Sequence, residues 1–152
     1  MAARTINGLE ELTTLVGEHL GYSDYVEITQ EQVNAFADAT GDHQWIHVDP
    51  ERAKAGPFGG PIAHGYLTLS LIPELFASAF DVADSRMGVN YGLNRVRFTA
   101  PVPVDSRLRG HFKLLKYEAV AGGAQLTVEV TIEMEGSAKP VCIAESLTRR
   151  YV

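Results

Sequence analysis

Between Leu126 and Glu135 the chain alternates without a break. Leu126, Val128, Val130, Ile132 and Met134 are apolar, and Thr127, Glu129, Thr131, Glu133 and Glu135 are polar. A period of two sustained over this length defines a strand with one face buried and the other in water. The run before it repeats the pattern, with Leu108, Phe112 and Leu114 on one face and Arg107, Arg109, His111 and Lys113 on the other. Gly122-Gly123 separates the two as a hairpin signal. Val89 to Phe98 and Val141 to Val152 complete a four-strand antiparallel meander, and Pro101 and Pro103 punctuate the link between its first two strands.

A single sheet must cover its apolar face, and one segment is suited to do so. From Ile62 to Phe80, Leu67, Leu69, Leu71, Ile72, Leu75, Phe76 and Phe80 make the chain apolar nearly all round. Such a helix is buried on most sides, and Pro73 inside it is a kink signal. Leu67, Leu71, Leu75 and Phe76 belong mainly to the core on this reading, with a lining role beside a ligand as the alternative. The fold class is therefore α+β, an antiparallel sheet wrapped around a long central helix. At 152 residues one domain, 1–152, accounts for the chain. A chain of this size buries roughly 70% of its unfolded surface and needs no disulfide or metal to hold it.

The remaining first half reads as short helices and loops. Leu9, Leu12, Leu15 and Val16 recur at helical spacing up to Gly17–Gly21, and Tyr25 to Ile28 suits a short strand. Thr29, followed by Glu31 and Gln32, is an N-cap signal for a helix carrying Val33, Phe36 and Ala37 on one face and stopping at Gly41. Asp42 to Pro61 then reads as one long connection, the kind that in a compact domain usually carries function.

Charge and composition narrow the partners. The net charge is -6, which argues against a nucleic-acid surface. No apolar run approaches the roughly 20 residues of a membrane span, and Met1 to Leu20 lacks the basic and apolar regions of a secretory signal. Cys142 is the only cysteine, so no disulfide framework exists. The expected setting is cytoplasmic, with no membrane or nucleic-acid partner.

The densest polar cluster is Asp42, His43, Gln44, His47 and Asp49, and His64 follows in Ala63-His64-Gly65-Tyr66. Three of the five histidines fall in this stretch. A carboxylate and an imidazole that converge on one water can take and give protons, each typically contributing about 10²–10⁴-fold, and histidine titrates nearest neutral pH. Gly65 at a helix start offers a free backbone N–H and close approach to a substrate oxygen. Two other readings fit the same residues. His43 and His47, four apart, have a loose metal-ligand spacing, but Gln44 stands where the zinc-protease pattern needs glutamate, and no metal is expected. Alternatively Asp42 caps a turn and the histidines are ordinary surface or core residues. Arg95, Arg97, Arg107 and Arg109 are either a solvated strand face or, together with Arg86, phosphate contacts.

Taken together, Phe36-Ala37-Asp38-Ala39-Thr40-Gly41-Asp42-His43-Gln44-Trp45-Ile46-His47, Ala63-His64-Gly65 and Arg97-Phe98-Thr99-Ala100-Pro101-Val102 resemble the MaoC-like, (R)-specific enoyl-CoA hydratase family. Asp-His-Gln-Trp-Ile-His is similar to its nodulation-protein-N-like subgroup. The resemblance spans nearly the whole chain. It implies a hot-dog fold and a homodimer. It also implies reversible hydration of a trans-2-enoyl thioester to the (R)-3-hydroxyacyl thioester, as in fatty acid metabolism. Asp42 and His47 map onto the catalytic pair, and Gly65 onto the donor to the thioester carbonyl. Gln44, His64, Arg95 and Arg97 are the candidate substrate contacts. No cofactor is implied, coenzyme A being part of the substrate. The chain departs from the family where Gln44-Trp45 replaces Asn-Pro. Other activities for the same site are a hot-dog acyl-CoA thioesterase and a non-catalytic acyl-thioester-binding partner subunit.

Overall fold

The computed structural model describes residues 3–152. Its elements in chain order are β1 (Arg4–Ile6), α1 (Leu9–Leu12), β2 (His19–Tyr22), β3 (Val26–Glu27), α2 (Gln30–Thr40), α3 (Trp45–Val48), α4 (Pro50–Lys54), α5 (Gly65–Ser70), α6 (Ile72–Ala79), β4 (Phe80–Val82), β5 (Met87–Arg97), β6 (Arg107–Val120), β7 (Gly123–Met134) and β8 (Cys142–Tyr151). The main sheet is antiparallel in the order β2-β6-β7-β8-β5, with β3 also paired to β6.

The alternation in the sequence becomes the sheet's two faces. Leu108, Phe112 and Leu114 of β6 and Leu126, Val128, Val130 and Ile132 of β7 are buried, and Phe112 lies opposite Val130. Thr127, on the expected solvated face, is nevertheless buried. The covering layer is α5 and α6. Phe76 stacks on Phe112 with ring centroids 4.5 Å apart. The helix comes close because β6 carries Gly110 at the crossing, where an added Cβ would stand 2.7 Å from the Phe112 ring and 3.3 Å from the Leu75 Cβ.

The central helix is two helices. Leu71 closes α5 and opens α6, and Pro73 sits in the first turn of α6. Proline has no N–H to donate, so the first turn is where a helix tolerates it and the interior is where it breaks.

Three further features differ from the sequence expectation. Strand β5 pairs with β8, not with β6, so only β6-β7-β8 form a meander. The first helical segment is a single turn, Leu9–Leu12, and His19–Tyr22 leaves it as β2. The Asp42–Pro61 connection contains α3 and α4, the latter begun by Pro50 and capped by Asp49, whose carboxylate accepts the Arg52 N–H at 3.1 Å. A short parallel pair, β1 with β4, ties the N-terminal segment to the end of α6.

Candidate active site

Two segments far apart in sequence meet at one place. Helix α2 starts as expected, with Thr29 Oγ1 accepting the Gln32 N–H. It ends on Gly41, whose φ of 84° is the left-handed cap that glycine adopts without strain. That cap turns the chain into Asp42, and α3 then carries His47 inward. The Ile62 N–H donates to the Ile46 carbonyl at 3.0 Å and the Ala63 N–H to the Val102 carbonyl at 2.8 Å. These bonds deliver His64 and Gly65 beside Asp42 and His47.

Asp42, His47 and His64 each offer a ligand or proton-transfer atom within 4.8 Å of the others. Asp42 is exposed and the two histidines are buried. The imidazoles stack, with centroids 3.9 Å apart. His47 Nδ1 lies 2.6 Å from the Ile62 carbonyl oxygen. A carbonyl only accepts, so Nδ1 carries the proton and Nε2 of the neutral ring is a lone pair. Burial holds the His47 pKa below the usual histidine range, and a charge on His64 would lower it further. The Ile62 carbonyl and Asp42 pull the other way. His64 Nε2–H in turn donates to the Asp42 backbone carbonyl at 2.9 Å.

The geometry sorts the remaining candidates. Gly65 opens α5, so its N–H has no carbonyl a turn behind it within the helix. Gln44 begins α3 with an exposed side chain that makes no capping bond, and its backbone N–H points at the Asp42 carboxylate at 3.4 Å. His43 leaves the cluster and pairs with Asp38 at 2.9 Å, which raises its pKa. The His43–His47 metal spacing is therefore not realised. The group that could hold an ion is instead Asp42, His47 and His64, with one nitrogen of each imidazole already committed to a carbonyl. Arg95 and Arg97 lie opposite Glu145 and Ile143, whereas Val96 between them lies opposite the buried Ala144. Both arginines thus project from the sheet face away from α5, and the fold of this chain does not bring them to the cluster.

Several further residues at the site were not among the candidate site residues. Gln30 Nε2–H donates to the His47 carbonyl at 2.8 Å, and Phe36 packs on the His64 ring. Phe98 lies over Gly65 and meets Tyr66 edge-on. Trp45 is accommodated in place of the smaller proline because residue 56 is glycine. A Cβ there would stand 2.9 Å from the indole, over which the Arg52 guanidinium lies at 4.4 Å from the ring centroid. Next to Gly65 a groove of about 370 Å³ runs between the central helix and β5, lined by Tyr66, Leu69, Ile72, Pro73, Tyr91 and Leu93 among others. Leu67, Leu71 and Leu75 are core and do not line it.

The MaoC like domain family matches residues 11–136 of the chain, and the chain belongs to that family. It is 56% identical over 147 residues to 3-hydroxyacyl-thioester dehydratase Z of Mycobacterium tuberculosis, covering 96% of this chain and 97% of that protein. It is 44% identical over 144 residues to nodulation protein N of Rhizobium leguminosarum bv. viciae, covering 92% and 89%. An (R)-hydratase structure from A. caviae shares the hot-dog fold, with a TM-score of 0.71 at 22% identity, covering 88% of this chain and 94% of that one. Among the described residues no helix is long and apolar enough to cross a membrane.

Proposed function

We propose that this hydro-lyase adds water reversibly to trans-2-enoyl-CoA to give the (R)-3-hydroxyacyl-CoA, with Asp42 and His47 acting on the water. The observation that carries the reading is the exposed Asp42 carboxylate with an oxygen within 4.8 Å of a ring nitrogen of His47, whose Nδ1 is held by the Ile62 carbonyl, beside the start of α5. The thioester substrate class is supported by the relative named as a 3-hydroxyacyl-thioester dehydratase.

The chemistry follows from these parts. An enoyl thioester is electrophilic at C3 only when its carbonyl is polarised, and the Gly65 N–H is the donor for that oxygen. Water oxygen bonds to C3 and gives up a proton to the Asp42–His47 pair. The π electrons move onto the carbonyl oxygen as an enolate, which collapses as C2 takes a proton. His47, held by the Ile62 carbonyl, orients the water and relays that proton. Dehydration is the same path reversed. The bonds made and broken need no redox cofactor, and coenzyme A enters as part of the substrate.

The working unit is a homodimer on this reading. Strand β5 is the open edge of the main sheet and presents Met87, Val89, Tyr91 and Leu93, all exposed. An unpaired apolar edge is a template for pairing with a second chain. Edge-to-edge pairing of two β5 strands would satisfy the open backbone edge and bring the second copy against these side chains beside the groove.

The test is loss of enoyl-thioester ultraviolet absorbance with crotonyl-CoA and a longer enoyl-CoA. Asp42→Asn and His47→Ala are assayed alongside, with chiral analysis of the product. Wild-type turnover to the (R) product without free thiol is expected, with each variant folded and lower by about 10²-fold or more. Free coenzyme A release would point to hydrolysis instead, and full activity in either variant would reject the assigned pair.

A further inference from the structure

We infer that His64 is the positioning residue of the site, the one side chain that ties Asp42, His47 and Gly65 into a single arrangement. The inference rests on the hydration reading above and extends it to a residue that need not exchange a proton with substrate.

His64 touches each of the three in a different way. Its Nε2–H donates to the Asp42 backbone carbonyl at 2.9 Å across 22 residues of sequence. Its ring stacks on His47 at 3.9 Å and is backed by Phe36 at 4.8 Å. It is the residue before Gly65 and stands at the N-cap position of α5, where its side chain makes no capping bond. Asp42 needs such an anchor. It follows the left-handed Gly41, is exposed, and among the described residues its carboxylate has only the 3.4 Å approach of the Gln44 N–H to fix it.

The choice of imidazole at this place has a cost that demands a reason. His64 is 2% exposed, and its Nδ1 is buried with no hydrogen-bond partner among the described residues. Thr68 Oγ1, one helical turn further on, is buried and unpartnered too. A leucine would fill similar volume without an orphaned nitrogen. What a leucine would lose is the N–H to Asp42 and the flat ring against His47. Glutamine retains an N–H near the position of Nε2 and loses only the ring.

The test compares wild type, His64→Leu and His64→Gln. Wild-type turnover is measured first, so failure of the hydration reading is seen before any variant is scored. His64→Leu is expected to lower kcat at least about tenfold while KM changes by less than about threefold. His64→Gln is expected to recover most of kcat. Backbone 15N relaxation of residues 41–43 reports the anchor without any turnover. The order parameters should fall in the leucine variant and hold in the glutamine variant. A folded leucine variant with wild-type kcat would overturn the inference. So would unchanged order at 41–43, or a glutamine variant as slow as the leucine one.

Discussion

The ring of Phe98 occupies the space that a side chain at residue 65 would need. A Cβ built on Gly65 would stand 2.9 Å from the ring's Cδ2, closer than packed carbons approach. Phe98 follows the last residue of β5 and is itself nearly half exposed, so its ring can swing outward when pushed. Gly65→Ala should therefore leave the protein folded, because the displaced ring has solvent to enter and alanine is the better helix residue. The added methyl and the shifted ring would crowd the N–H proposed to bind the thioester oxygen. Loss of one such donor typically costs about 10²–10³-fold in kcat. Steady-state kinetics with a thermal melt checks this, and a Gly65→Ala protein that melts normally and turns over at the wild-type rate would remove Gly65 from the mechanism.

His47 sets an acid limit on the reaction. The proposed role needs the Nε2 lone pair, and protonation removes it. Burial lowers the His47 pKa, so the limit lies below the usual histidine value of about 6.5. Activity should be level around neutrality and decline only below that value. A profile of kcat/KM against pH gives the free enzyme's titration directly. An acid limb centred above the usual histidine value would mean that another group controls the rate.

The same burial predicts how stability depends on pH. His47 and His111 both have pKa values lowered by burial, the second further lowered by its neighbour His19. The unfolded chain then binds protons that the folded chain does not. Their contribution is fully present above the unfolded value of about 6.5 and is lost as pH falls through the folded values. His43 runs the other way through its bond to Asp38, but it is exposed and contributes weakly. Urea midpoints should therefore drop as pH falls from neutrality to below the usual histidine value of about 6.5. His111→Gln, on the sheet face away from the site, should flatten part of that slope without changing turnover at pH 7. An equal or higher midpoint at the lower pH would contradict the assignment.

What the sequence made legible was what local periodicity encodes. The faces of β6 and β7, the Thr29 cap, the Gly41 stop and the break at Pro73 each follow from residues close together in the chain. The pairing of β5 with β8 does not. It joins strands separated by the whole meander, and nothing in Met87–Arg97 distinguishes β6 from β8 as a partner. The site divides the same way. Asp42, His47, His64 and Gly65 were visible as residue types in one motif order, and the fold brings them together. Phe98 and Gln30 read as an ordinary strand end and an ordinary helix start, because their contacts with Gly65 and His47 exist only in three dimensions. Arg95 and Arg97 differ in the opposite sense, since this chain does not bring them to the cluster. They have suitable chemistry, and the strand alternation turns them to the other face.

Strand β5 supplies the last prediction. Its pleat should bury every second side chain, yet Tyr91 is 56% and Met87 54% exposed, with Val89 and Leu93 close behind. Its outer edge has no partner strand among the described residues. Natural edges are usually blunted with charge or proline, and the middle of this one, Val89 to Leu93, has neither. If a second copy covers it, Val89→Lys with Tyr91→Lys should place like charges across the pairing line and split the dimer, since like charges opposed across an interface are strongly unfavourable. Light scattering of the wild type should give twice the 16.6 kDa chain mass, and the double variant should give the chain mass itself. Both substitutions lie outside the Asp42–His47–His64 cluster, and Tyr91 lines the neighbouring groove. The monomer should therefore stay folded and weaken in its handling of longer acyl chains before it loses turnover of crotonyl-CoA. A wild type that scatters as a monomer while fully active would separate the reaction from pairing and leave the exposed β5 face to some other partner.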